Sequence, residues 1–70
     1  MNVRELKAQM IRRGKSVDQL CASCGISKTS WFRKTTGATQ FTQGEISILR
    51  RELDLDPDQT MLIFFDSKVS

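Results

Sequence analysis

Apolar residues recur along most of the chain at helical rather than strand spacing. Val3, Leu6 and Met10 stand at i, i+3 and i+7 with Ile11 beside them, one apolar stripe on a helix over about residues 3 to 13. A second helix, about 17 to 24, places Val17, Leu20, Cys21 and Cys24 on one face. A third, about 28 to 36, carries Trp31 and Phe32 with the methyl of Thr35 one turn on. The fourth, about 43 to 53, offers Ile46, Leu49 and Leu53 and leaves Arg50, Arg51 and Glu52 largely outside. Pro57 opens a fifth, because proline at the first helical position loses no hydrogen bond. Its run MLIFF, Met61 to Phe65, is apolar on every side, so one core-facing stripe cannot absorb it. Met61, Leu62 and Phe65 are expected to face the core, leaving Ile63 and Phe64 more exposed, as candidates for a dimer seam. Helices 1 and 4 wrapping around helix 5 and leaving no patch is the alternative.

Polar punctuation agrees with this periodicity. Asn2 with Glu5, Ser16 with Gln19, Thr42 with Glu45 and Asp56 with Gln59 fit a reciprocal cap, in which a short polar side chain accepts from a first-turn N–H and the residue three on reaches back. Ser27 is a further start with Ser30 as a weaker return partner. Gly14, Gly25 and Gly37 fall where helices must stop. The expected fold is all-α, a compact five-helix bundle.

Composition bounds the size and setting. Seventy residues, 39% hydrophobic and 27% charged, allow one domain with a core near the lower limit for independent folding, which makes self-association plausible. Residues 1 to 66 are read as that domain and 67 to 70 as a short flexible tail. No apolar run approaches the roughly 18 residues of a membrane span, and MNVRELKAQM is too charged for a signal peptide, so the expected location is the cytoplasm. Charge divides the chain unequally. Residues 1 to 36 hold eight Lys/Arg against two acids, net +6, and the remainder three against six, net −3. Clustered cations gain free energy by displacing counterions from phosphate, which points to a polyanion; a solvated basic face is the competing explanation.

The stretch Gln19 to Lys34, QLCASCGISKTSWFRK, meets the demands of a helix-turn-helix. Leu20 packs, Cys21 is small where two helices approach, Gly25 takes the positive φ of the turn, and Ile26 and Trp31 anchor the second helix. In this spacing, residues 3 to 55 resemble the lambdoid phage repressor and Cro family, the XRE-type, lambda-repressor-like helix-turn-helix domains. The resemblance implies that helix 3 enters the major groove of an operator with Lys28, Thr29 and Arg33 reading base edges. Lys28 and Arg33 suit guanine N7 and O6, and Thr29 adds a hydroxyl and a methyl. Ser16, Gln19, Ser27, Ser30, Lys34, Thr39, Gln40, Thr42 and Gln43 would contact phosphate, although Ser27 is better suited to capping. Two departures weaken the match. Val17 stands where the family often has a polar residue, and ATQFTQG lacks the basic residues common in the later loop; Arg12, Arg13 and Lys15 could compensate. Phe41 is expected to fold inward between helices 3 and 4.

Cys21 and Cys24 invite a redox or metal reading, but both lie one turn apart on an apolar helical face. With no histidine, one chain cannot complete a tetrahedral zinc site, and an i, i+3 disulfide within a helix would be strained. Buried free thiols are expected, with a metal shared across a dimer as the alternative. No activated nucleophile or acid–base pair suggests an enzyme, a cofactor or a small-molecule substrate. The chain therefore reads as a sequence-specific double-stranded DNA-binding transcriptional regulator, most simply a phage-type repressor, acting as a homodimer whose half-sites lie about 34 Å apart. Helix 5 and residues 66 to 70 are the candidates for pairing. The alternative is an antirepressor-like module docking on another regulator through helix 5.

Overall fold

A computed structural model describes residues 1–65 and contains five α-helices, with no strand among the described residues: α1 Val3–Arg13, α2 Val17–Cys24, α3 Lys28–Thr35, α4 Gln43–Glu52 and α5 Pro57–Phe64. Helices α3 and α4 each stop a residue earlier than their apolar spacing predicts. The tail expected over 67–70, and any pairing role of 66–70, lie outside the described residues. No described helix is long and apolar enough to cross a membrane.

The caps form largely as the spacing predicts. Ser16, Thr42 and Asp56 each accept from the N–H three residues on, and Gln19, Glu45 and Gln59 return the bond to the cap N–H. At α1 the return bond is absent for a tertiary reason. The Asn2 N–H donates instead to the Ile63 carbonyl at 2.7 Å, which ties the start of α1 to α5, and the Glu5 carboxylate accepts from Gln9 Nε2 at 3.0 Å. Gly14 and Gly25 terminate α1 and α2 at φ +66 and +69. At each, the next residue's N–H reaches back into the last turn, Lys15 to the Met10 carbonyl and Ile26 to the Cys21 carbonyl. The end of α4 repeats the pattern without glycine: Asp54 adopts φ +51 and Leu55 N–H donates to the Arg50 carbonyl.

Helix α2 is central, packing on both α3 and α4, while α1 packs on α5. Leu6, Leu20, Leu49, Leu53 and Ile63 are fully enclosed, and Trp31 is 3% exposed. Phe41 folds inward as expected, edge-on to Trp31 at 5.4 Å and to Phe64 at 5.7 Å, and so links α3 to α5.

Three apolar assignments are corrected. Ile11 is 81% exposed while Gln9 is buried, because Ile11 lies about 100° round the helix from Met10 on the far side from Leu6, and Gln9 lies on the near side. Phe32 is exposed on α3 beside the buried Trp31. In α5 the order is reversed: Ile63 is fully buried and Phe64 half-buried, whereas Met61, Leu62 and Phe65 are exposed. The Asn2–Ile63 bond and the Phe41–Phe64 contact turn α5 that way. Ile63 is therefore unavailable at a dimer seam and Phe64 mostly so.

Two glycines in helical surroundings predict opposite outcomes. Gly25→Ala should destabilise by about 1–2 kcal/mol, because alanine is strained in the left-handed turn even though nothing lies within 4 Å of its added Cβ. Gly44→Ala, inside the first turn of α4 with only Thr42 Oγ1 at 4.0 Å, should stabilise by about 0.5 kcal/mol. Urea unfolding of the two variants checks both signs.

Candidate nucleic-acid interface

The pair α2 and α3, joined through Gly25, carries most of the residues singled out in the sequence. Cys21 lies beneath the junction, its thiol donating to the Ser27 carbonyl at 3.8 Å, a close approach that a larger side chain would obstruct. Ser27 caps α3. Its Oγ accepts from the Ser30 N–H at 3.1 Å and donates to Ser30 Oγ at 3.2 Å, so both hydroxyls are occupied by the helix start itself.

From that start, Trp31 points into the core and fixes which side of α3 faces out. Thr29 and Arg33, one turn apart, lie on the exposed side, and Arg33 has no acidic partner among the described residues. Lys28 is also exposed, but its ammonium sits 3.0 Å from Asp18 Oδ1 in the first turn of α2. Both partners are well solvated, so the ion pair is weak, and its main effect is to place a carboxylate beside one of the three candidate readers. Sequence spacing did not reveal that pairing, because Asp18 and Lys28 belong to different helices.

The residues assigned to phosphate contact divide into two groups. Ser16, Gln19, Thr39, Gln40, Thr42 and Gln43 are exposed at the start of α2 and between α3 and α4. The side chains of Ser16, Gln19 and Thr42 serve capping boxes. Lys34 is corrected. Its ammonium lies 3.1 Å from both Glu45 Oε1 and the Gln40 carbonyl and 5.7 Å from the centre of the Phe41 ring, with its side chain only 12% exposed. It braces the end of α3 against α4 and has little surface left for an external anion.

Arg13 and Lys15 are similarly engaged at the end of α4. Arg13 Nε donates to the Leu53 carbonyl at 3.1 Å with Asp54 3.7 Å from its guanidinium, and Lys15 lies 3.7 Å from Glu52, which also accepts from Ser23 Oγ. Of the basic residues in the first half, Arg4, Lys7, Arg12 and Arg33 have no acidic partner among the described residues. The net positive charge is thus less concentrated in free cations than the sequence count suggests.

Burial pushes the Cys21 thiol up, with Asp18 adding to the effect and Lys28 opposing it; burial likewise raises Cys24, helped by Glu45. Both are free cysteines, Cys21 buried and Cys24 half-buried, and a raised pKa leaves them protonated and unreactive near neutral pH. For Glu45, desolvation works to raise the carboxyl, but the Thr42 N–H and the Lys34 ammonium outweigh it and hold it below its ordinary 4.5. Comparison with protein-family models, curated proteins and solved structures found no match to this chain.

A carboxyl with a lowered folded pKa stabilises above its unfolded pKa, and that stability is lost as pH falls through the folded value. The Glu45 contribution should thus be constant above about pH 5 and decline below about 4.5. Glu45→Gln keeps an acceptor for the Thr42 N–H but removes the charge facing Lys34. It should cost about 1 kcal/mol at pH 7 and lose less stability than the native protein on acidification, as measured by urea unfolding at several pH values.

Proposed function

We propose that this chain is a sequence-specific double-stranded DNA-binding transcriptional regulator in which α2 and α3 act as a lambda-repressor-like helix-turn-helix and α3 enters the major groove. The observation that carries this reading is the division of α3 into two sides. Trp31 and Lys34 hold one side against the core and α4, and Lys28, Thr29 and Arg33 stand exposed on the rest with donors suited to base edges. The exposed N-termini of α2 and α4 add backbone N–H groups and polar side chains able to meet phosphate. A regulator of this kind, resembling phage repressors and Cro, most simply represses by occluding its site, and it works in the cytoplasm or nucleoid.

A single domain this small makes few contacts, so the reading includes a homodimer on a pseudo-palindrome. The surface that supports pairing is exposed Met61 and Leu62 on α5 with Phe65 directly after it. The same residues support a second reading, an antirepressor-like module that docks on another regulator. Salt separates the two. DNA affinity should fall with a log–log slope of about −0.9 per phosphate contacted, whereas apolar docking should barely respond.

Arg33→Ala should weaken binding to the preferred site by about 1–3 kcal/mol and relax base preference at one position per half-site. Asp18→Asn should act in the opposite direction, tightening binding and steepening the salt slope by up to about 0.9, because Lys28 is released from its partner. Titrations of selected sites at several salt concentrations read both, and a weaker Asp18→Asn complex would remove Lys28 from the interface. Leu62→Glu should yield a monomer by sedimentation and abolish cooperative occupation of paired half-sites. If the variant stays dimeric, α5 is not the seam.

A further inference from the structure

Asp18 is one of only two acids among residues 1 to 36, and it stands beside a residue assigned to base reading. It lies in the first turn of α2, with its carboxylate 3.0 Å from the ammonium of Lys28, the first residue of α3. The side chains are 72% and 61% exposed, and neither makes another ion pair among the described residues. A single mutual contact leaves Lys28 with a pair of free donors and Asp18 with free lone pairs. An acid in the first turn also favours the dipole of α2, but the dipole is served anywhere in that turn and does not call for one that reaches the head of α3.

In the major groove, a G·C pair sets the guanine O6 acceptor beside the cytosine N4 donor. A Watson–Crick hydrogen bond joins those two atoms, so they lie about 2.9 Å apart. The Lys28 ammonium and the Asp18 carboxylate present the complement, a donor and an acceptor 3.0 Å apart. A T·A pair also sets an acceptor beside a donor, but it carries a methyl group where guanine has N7, and the second free donor of Lys28 finds its acceptor only on guanine. The reversed pairs present donor and acceptor in the opposite order, and the fold fixes the order by holding Asp18 on α2 and Lys28 on α3. Phosphates repel a lone carboxylate, whereas one paired with Lys28 brings no net charge to the groove. We propose that Asp18 is a specificity-determining residue that accepts from the N4 amino group of the cytosine paired with the guanine read by Lys28, a claim that rests on α3 being the major-groove helix.

Sites selected from random duplex DNA by the native protein supply the test. Each guanine is replaced singly by 7-deazaguanine, which lacks the N7 acceptor, and each cytosine singly by N4-methylcytosine, whose methyl group takes the place of the groove-facing N4 hydrogen. In each half-site the same base pair should respond to both changes, with about a tenfold loss of affinity from either. Asp18→Ala should bind the cytosine and N4-methylcytosine forms equally and stay sensitive to 7-deazaguanine at that pair. Asp18→Asn, whose amide oxygen still accepts, should keep part of the cytosine response. If no cytosine responds, if the guanine and cytosine responses fall on different base pairs, or if Asp18→Ala discriminates as the native protein does, the proposal is overturned while DNA binding stands. If no sequence is enriched at all, the reading of α3 as a DNA helix fails, and the role of Asp18 fails with it.

Discussion

The last turn of α3 is held by one cation. Lys34 places its ammonium against Glu45 and the Gln40 carbonyl and its charge near the Phe41 ring, and Phe41 in turn meets the edges of Trp31 and Phe64. These contacts bind α3, the loop after it, the start of α4 and the end of α5 into one unit. A short helix of eight residues has little intrinsic stability in water, so its direction comes from what it is packed against. The outward direction of Thr29 and Arg33 therefore depends on Trp31 below and on Lys34 at the far end. Glu45 does two jobs in this arrangement, closing the cap of α4 through Thr42 and neutralising Lys34.

Charge is organised by the same tertiary contacts. Three acids of the second half reach back onto the basic first half, Glu45 on Lys34, Glu52 near Lys15 and Asp54 near Arg13. These pairs neutralise cations at the seams between helices and leave others solvated. Lys28 is intermediate, exposed yet beside Asp18, an arrangement that lowers the electrostatic gain of any polyanion bound there while holding the lysine near the junction of α2 and α3. Arg33 carries the least compensated positive charge on the outward side of α3.

The small core has a visible cost. Ile11, Phe32, Met61, Leu62 and Phe65 remain substantially exposed because a domain of this length has too much surface for its interior to enclose. Buried Gln9 donates to Glu5 while its Oε1 has no partner among the described residues, a desolvation penalty borne within α1. Of the exposed apolar residues, Phe32 lines a groove between α3 and α1 that also includes Val3, Met10 and Val17, so its ring is only partly withdrawn from solvent.

The sequence by itself determined the helices and their ends. Cap pairs such as Ser16 with Gln19, the stops at Gly14 and Gly25 and the proline opening α5 act within a few residues, so their effects are legible without knowing the fold. It also located Leu20, Leu49, Trp31 and Phe41 in the interior, since each is apolar at a position that helical spacing or an adjoining loop turns inward. Tertiary structure alone decided the rest. Asn2 gave its N–H to Ile63 rather than to Glu5, and that bond, with the Phe41–Phe64 contact, chose which side of an all-apolar α5 is buried. Likewise Lys34 and Lys28 look alike in sequence, but one braces two helices and the other stands in solvent. Helical periodicity names neighbours along one helix; which cation meets which carboxylate depends on how separate helices come together, and that information is carried by packing.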